Sequence, residues 1–251
     1  MLPAVYKQAL VQHTGFVYTH QNMKANERRM IELIREGLAL LAIEDPQEQL
    51  QNYLLRYLHE LTVFNAAFNL VKAENDEALI IQHIFDSLAP WNLFAKTISE
   101  HTESRPCRIA DIGSGAGFPG VPLACLFRAQ QSTAQFTLVE RMQKRCAFLE
   151  NVRAMLNLTN TGIAQVEAES APADYFDIVA FRAFRPIDGS MLQTLQKRLC
   201  STGFLAAYKG KRSAIDAELH ALGAQKPEHR IIPLTVPFLN AERHLLIIPK
   251  A

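Results

Sequence analysis

The chain has few of the residues that mark a secreted, metal-binding or membrane protein. Its 251 residues include only four cysteines and no Cys-x-x-Cys pair. Widely spaced cysteines within apolar segments predict buried, reduced thiols, and no metal site is expected. No apolar run reaches the length of a membrane span, and no signal-peptide pattern opens the sequence. These absences predict a protein of a reducing cytoplasm that does not contact a membrane.

An excess of either charge is also missing. The 26 Lys and Arg residues against 25 Asp and Glu residues give a formal net charge of +1. A nearly neutral molecule is not steered as a whole toward nucleic acid, so any RNA-binding surface must be local. The composition, 49% hydrophobic and 20% charged, is ordinary for a globular protein. The length allows one α/β domain with smaller additions.

The most informative stretch is residues 108–123, which reads RIADIGSGAGFPGVPL. It predicts a short apolar strand, a glycine-rich loop and an apolar helix that begins at Val121. Glycines allow the backbone to take positive φ values and let a ligand approach with no Cβ in the way. The start of the helix offers unpaired N–H groups. The stretch therefore predicts the nucleotide-binding end of an α/β sheet, with a turn in a protein that binds no nucleotide as the alternative.

Two classes of ligand use such a loop, and the sequence favours one of them. A dinucleotide site needs Gly-x-Gly-x-x-Gly directly at the strand end, but Phe118 stands where the third glycine belongs. A complete pattern from Gly115 begins late and contains Pro119. The acid at the strand tip and its spaced glycines instead resemble the first motif of class I S-adenosylmethionine-dependent methyltransferases. That resemblance implies cofactor contacts from Asp111, Gly113, Gly115 and Gly117.

Hydrophobic periodicity divides the chain into three parts. Residues 1–25 show no clear pattern and are expected to be an appendage. Residues 26–100 predict a cap of three helices: one capped by Asn26, one begun by Pro46 and one over residues 77–93, capped by Asn75 and Asp76. Residues 106–251 predict alternating strands and helices that end in a β-hairpin. This order predicts a Rossmann-like domain with a mostly parallel, seven-stranded sheet and an antiparallel C-terminal hairpin strand.

Ligands of such sheets bind beyond the carboxyl ends of the strands, which identifies candidate cofactor residues. Glu140 follows the second strand about twenty residues after the last glycine, the expected place for an acid that binds both ribose hydroxyls. Ala168 and Glu169 follow the third strand, where an adenine-binding loop belongs. The alternatives are a solvated charge at Glu140 and an ordinary loop at residues 168–169. Phe118 either covers the apolar part of the cofactor or belongs to the core.

Basic residues also cluster after the predicted strands. They are Arg141, Lys144, Arg145, Arg182, Arg185, Lys209, Lys211 and Arg212. Because the carboxyl ends of parallel strands lie at one edge of the sheet, these residues predict a local basic rim that binds RNA phosphates. Ordinary surface charges are the alternative. Arg182 differs from the others because it directly follows an apolar strand.

The residues together resemble the RsmG family, also called GidB, of bacterial methyltransferases acting on guanine N7 in small-subunit ribosomal RNA. The resemblance covers residues 26–250. It is carried by the glycine stretch at residues 111–123 and by four further blocks, at residues 65–70, 83–88, 176–183 and 208–210. Four positions depart from the family's pattern. Phe64 stands where Trp is usual, Val71 where Thr or Ser is usual, and Phe181 where Ser is usual. Glu140 replaces an Asp.

This resemblance implies a function and a site. The implied reaction is methylation of guanine N7 in 16S ribosomal RNA, at guanine 527 of the 530 loop, with S-adenosylmethionine as cofactor. Cofactor contacts are implied for Gly113, Phe118, Ala168, Glu169 and Arg182, and Arg182 also becomes the candidate catalytic residue. The implied partner is 16S RNA or the small ribosomal particle, and a monomer is expected.

Guanine N7 carries no proton, so its methylation needs no general base. The absence of an Asn-Pro-Pro-Tyr motif is consistent with this acceptor. Three alternatives stay open at this point. They are a class I methyltransferase for a small molecule or protein, an NAD-dependent oxidoreductase, and a non-catalytic RNA-binding relative.

Overall fold

A computed structural model of the chain describes residues 20–101, 105–182 and 187–251. Its centre is one seven-stranded sheet with the spatial order β3-β2-β1-β4-β5-β7-β6. The strands are β1 (Arg108–Ile112), β2 (Gln135–Val139), β3 (Thr161–Ala164), β4 (Phe176–Arg182), β5 (Leu199–Lys209), β6 (Arg230–Leu234) and β7 (Arg243–Pro249). Strands β1 to β5 pair in parallel, whereas β7 pairs antiparallel with both β5 and β6. The predicted Rossmann-like fold class is confirmed.

Helices precede the sheet and connect its strands. They are α1 (His20–Leu40), α2 (Gln49–Phe68), α3, α4 (Trp91–His101), α5 (Gly120–Ala129), α6 (Gln143–Leu156), α7 (Gly189–Gln196) and α8 (Arg212–Ala221). Helix α3 is continuous through Asp76–Leu79, a π-helical turn at Ile80–Phe85, and Asp86–Leu88. We call α1 to α4 the cap. Within the described ranges, no helix is both long and apolar enough to cross a membrane.

The cap differs from its predicted form at two helix starts. Helix α1 already includes residues 20–25, so Asn26 lies inside it and the predicted N-cap there is wrong; residues 20–25 contain no Pro or Gly that would stop the helix. Helix α2 begins at Gln49, not at Pro46. Asp45 explains this start, because its carboxylate accepts hydrogen bonds from the backbone N–H groups of Leu50 and Gln51, at 3.1 and 2.8 Å.

The predicted third helix is in fact two helices. Its N-cap is as predicted, since the Asn75 side chain accepts a hydrogen bond from the N–H of Ala78 at 2.9 Å. The chain then breaks at Ala89 and Pro90 and restarts as α4. Pro90 has no backbone N–H to donate to the carbonyl of Asp86, so the helical hydrogen bonds stop there.

The two faces of the sheet bury alternate residues of each strand. In β4, Ile178 and Ala180 pack toward the cap, whereas Val179 and Phe181 pack on the opposite face, toward α7 and α8. Because Arg182 follows two residues after Ala180, it projects toward the cap. Cys107, Cys125 and Cys146 are buried and Cys200 is half-buried, and all four are free thiols, as predicted.

Candidate active site

The glycine loop joins β1 to α5 at the carboxyl edge of the sheet. Gly113, Gly115 and Gly117 have φ values of 72°, 60° and 103°, a region that strongly favours glycine. The N–H groups of Gly113 and Ser114 donate to the carbonyl of Val139 at 2.9 and 3.1 Å. These bonds fix the loop against the end of β2.

The carboxylate of Asp111 holds the glycine loop through hydrogen bonds. Its side chain is 1% exposed, and its Oδ2 accepts bonds from the Ser114 hydroxyl at 2.7 Å and the Gly120 N–H at 2.9 Å. Its other oxygen, Oδ1, is buried and has no hydrogen-bond partner among the described residues. Burial raises the pKa of this carboxyl to about 6, against the effect of those two hydrogen bonds. Asp111 therefore bonds to both ends of the loop, and its Oδ1 stays available to accept a hydrogen bond.

Glu140 lies beside the loop, as its position after β2 predicts. Its side chain is 4% exposed, and its Oε2 accepts a bond from the Gly115 N–H at 3.0 Å. Its Oε1 accepts a bond from the Met142 N–H at 2.9 Å, and Arg145 Nη1 lies 3.5 Å from Oε2. A carboxylate oxygen has two lone pairs, so Oε1 can still accept one further bond.

The predicted adenine loop is a short 3₁₀ turn, Ala168–Ser170, beyond β3. Ala168 is 3% exposed and packs into the core on the α7 side, whereas the Glu169 side chain is exposed. Since β3 is the neighbour of β2, this turn follows the same edge of the sheet as Glu140.

Arg182 ends β4 and contacts both the glycine loop and the cap. Its guanidinium carbon lies 4.9 Å from the centre of the Phe118 ring. Nη1 donates to Asp86 Oδ2 at 3.0 Å, and Nη2 donates to His83 Nδ1 at 2.9 Å. The His83 ring stacks on Phe118 with ring centres 5.1 Å apart. Phe118 itself is 5% exposed, so its ring is part of this buried stack.

A cavity of about 1070 Å³ opens beyond the ends of β4 and β5, with Arg182 in its lining. Its lining includes Arg182, Asp86, Tyr208, Lys209, Glu218 and Arg243. The lining comes from the cap, from both strands, from α8 and from the start of β7. The cavity is large enough for a nucleoside-sized group.

The family follows from comparison with known proteins. The family model described as "rRNA small subunit methyltransferase G", or GidB, matches residues 50–246. This chain belongs to that family. Three similar relatives carry the name "Ribosomal RNA small subunit methyltransferase G". That of Treponema denticola is 44% identical, covering 87% of this chain and 94% of its own length. That of Treponema pallidum is 39% identical, covering 86% of this chain and 92% of its own length. That of Nitrosomonas eutropha is 35% identical, covering 86% of this chain and 95% of its own length.

The basic residues of the predicted RNA-binding rim in this GidB protein come after the carboxyl ends of the strands, but several of them are paired with acidic side chains. Arg141 lies 3.5 Å from Glu167, and Arg145 lies 3.5 Å from Glu140. Lys209 Nζ lies 2.6 Å from Glu218 Oε2, with both side chains largely buried. Among the described residues, Lys144 and Lys211 form no ion pair. Arg185 lies outside the residues that the structure describes.

Three contributors to the site were not assigned a role from the sequence. His83 and Asp86 belong to a block that carried the family resemblance, and Arg243 lies in the C-terminal hairpin. The signal that could have identified Asp86 is its position in an apolar helix, where a charge at 4% exposure requires partners. No local pattern indicates which partners these are, because they come from β4 and β7.

Proposed function

We propose that this GidB protein methylates N7 of a guanine in 16S ribosomal RNA, with S-adenosylmethionine as methyl donor, and that guanine 527 is the target. The observation that carries the proposal is the place of Arg182. It packs on Phe118 of the glycine loop and also lines the cavity. A cofactor on the loop and an acceptor base in the cavity would meet at this residue.

The residues present fit that cofactor. Gly113 and Gly115 have positive φ, and a Cβ built on Gly115 would lie 3.8 Å or more from other atoms, so the backbone there is open to a ligand. The unpartnered Oδ1 of Asp111 is a buried acceptor suited to the cofactor's ammonium group. Glu140 retains acceptor capacity for ribose, and the turn at Ala168 supplies backbone groups for adenine. When bound, S-adenosylmethionine supplies an electrophilic methyl group.

The chain's own part in the reaction is positioning and electrostatics. Guanine N7 has an in-plane lone pair and no proton, so the site needs no residue to remove one. Arg182 would hold the base against the cofactor site on the glycine loop. A base inside the cavity must be unstacked from its neighbours, as bases are in RNA loops.

The test is methyl transfer to small ribosomal subunits taken from a strain without its own family member. The protein should transfer one labelled methyl group per particle, and reduction followed by aniline scission should cleave the RNA at guanine 527. Arg182→Ala should lower the rate roughly 100-fold or more with the fold intact, as expected for a group that organises the reacting atoms. Transfer to a protein or small molecule, or to another position of the RNA, would overturn the proposed substrate.

A further inference from the structure

We infer that His83 and Asp86, two residues of the cap, are positioning residues that hold the Arg182 guanidinium in its working orientation. The inference rests on the role proposed for Arg182. It assigns the cap a part in the reaction beyond covering the sheet.

Contacts fix the guanidinium on three sides. Asp86 Oδ2 accepts from Nη1 at 3.0 Å, His83 Nδ1 accepts from Nη2 at 2.9 Å, and the Phe118 ring lies against the plane. A guanidinium is planar with donors in a rigid fork, so acceptors at both terminal nitrogens determine its plane and its rotation. With a side chain 15% exposed, Arg182 has little water to compete for these bonds.

His83 is suited to accept because its other nitrogen is already committed. Its Nε2 lies 3.1 Å from the carbonyl oxygen of Lys72, which can only accept a hydrogen bond. Nε2 therefore carries the proton, and Nδ1 presents its lone pair to Arg182. Burial and the nearby Arg182 charge lower the pKa of His83 to about 4, which keeps the ring neutral at physiological pH.

Asp86 is held in place by a second arginine. Its Oδ1 accepts from Arg243 Nε at 3.1 Å while its Oδ2 accepts from Arg182. A carboxylate bound on both oxygens cannot rotate away from Arg182 without breaking the bond to Arg243. The π-helical turn at Ile80–Phe85 carries His83 and leads directly into Asp86, and π-helical turns occur frequently at functional sites.

Two substitutions of His83 separate positioning from simple anchoring of the cap. Asn can place an acceptor oxygen near the position of Nδ1 but has no group at Nε2. Gln can place a donor near Nε2 but has no acceptor at Nδ1. If His83 positions Arg182, His83→Gln should lower the single-turnover rate by roughly 10- to 100-fold, and His83→Asn by less than about threefold. An anchor to Lys72 alone would give the opposite order and would overturn the inference.

A double variant tests whether His83 acts through Arg182. In the Arg182→Ala background, His83→Gln should change the rate by less than about twofold, because the interaction is already lost. Additive losses would contradict positioning. Thr62→Val is the matched control: it removes a bond of 2.8 Å to Asp76, at the start of α3 and seven residues before His83, and should leave the rate unchanged.

A spectroscopic readout keeps this inference separate from the proposed function. The ¹⁵N resonance of His83 Nδ1 should shift on Arg182→Ala and stay in place in Thr62→Val, without cofactor or RNA. An unmoved resonance would refute the contact whatever the activity. A protein that transfers no methyl group to ribosomal RNA, but shows the shift, would refute the proposed function and support the positioning contact.

Discussion

The glycine loop and the cavity share Arg182, yet they are assembled over different distances along the chain. In the loop, Asp111 bonds to residues three and nine positions away. On the cavity side, Arg182 bonds to residues 96 and 99 positions away, and Arg243 reaches Asp86 across 157 positions. The loop is held mostly by bonds within itself and to β2, with one bond from Tyr57 of the cap, whereas the other half of the site exists only after the cap has docked on the sheet.

This difference has a consequence for how substitutions act. A change in the loop should alter the affinity for the cofactor directly, because the loop backbone is the proposed cofactor-binding surface. A change on the cavity side should alter the rate or the binding of RNA, because those residues contact Arg182 or line the space proposed for the acceptor.

The largest effect is expected at Gly117. With φ at 103°, a Cβ there would lie 2.5 Å from Val121 Cγ2 and 2.9 Å from Tyr57 Oη. Gly117→Ala should lower the free energy of unfolding by about 3 kcal/mol, from crowding and backbone strain, and abolish S-adenosylmethionine binding. Denaturant unfolding and calorimetry measure the two effects. Gly162→Ala, where the new Cβ meets no atom within 4 Å, should cost less than about 0.5 kcal/mol.

Elements built from nearby residues were predictable from the sequence, whereas contacts between distant segments were not. The strand, loop and helix at residues 108–123, Glu140 at the end of β2 and the hairpin order were all predictable from spacing and periodicity. The helix starts near Asn26 and Pro46 were wrong because a side chain at Asp45 and an unbroken helical stretch outweighed single-residue preferences. The partners of Asp86 were unpredictable because the docking of the cap is a tertiary event.

The next effect concerns pH. The folded-state pKa of Asp111 is about 6, above the ordinary value of 3.8, so the native protein binds more protons than the unfolded chain between these values. The stability contributed by this group is present at low pH and is lost as pH rises through 6. Asp111→Asn does not titrate. Its free energy of unfolding relative to the parent should therefore increase by about 2–3 kcal/mol between pH 4 and pH 7.

Denaturant titrations of both proteins across that range provide the measurement. Glu140 and Arg182, the charged groups that act on Asp111, are present in both proteins, so their own effects largely cancel in the difference. A difference that stays flat with pH would mean that Asp111 is ionised in the native state at pH 4, as it would be with a partner for Oδ1.

Two buried tyrosines allow the two halves of the site to be compared with the same substitution. Tyr57 of the cap donates to the Ala116 carbonyl in the glycine loop at 2.6 Å. Tyr208 of β5 donates to the Ser87 carbonyl in the cap at 2.9 Å. Replacing either by Phe should cost about 1–2 kcal/mol of stability, since each change leaves a buried carbonyl without its donor.

Their functional effects should differ. Tyr57→Phe should weaken S-adenosylmethionine binding several-fold, because the loop backbone loses its support, whereas Tyr208→Phe should leave that affinity within about twofold. Calorimetry on both variants decides between the two expectations. Equal losses of cofactor affinity would show that the cap stabilises both halves as one unit and would remove the proposed division.

The smallest effect is expected on the exposed rim. Lys209 and Arg145 form ion pairs with Glu218 and Glu140. We therefore expect them to attract RNA phosphates less strongly than Lys144 and Lys211. Lys144→Glu and Lys211→Glu should each weaken binding of small-subunit RNA and reduce the salt dependence of log Kd by about one unit, while cofactor affinity stays the same. Lys197→Glu is the matched control, because Lys197 follows α7 and precedes β5 at the opposite edge of the sheet. Binding measured over a range of salt concentrations should show the parental slope for Lys197→Glu alone. If all three variants keep that slope, RNA does not contact this rim through Lys144 or Lys211, and the cavity must be reached from another side.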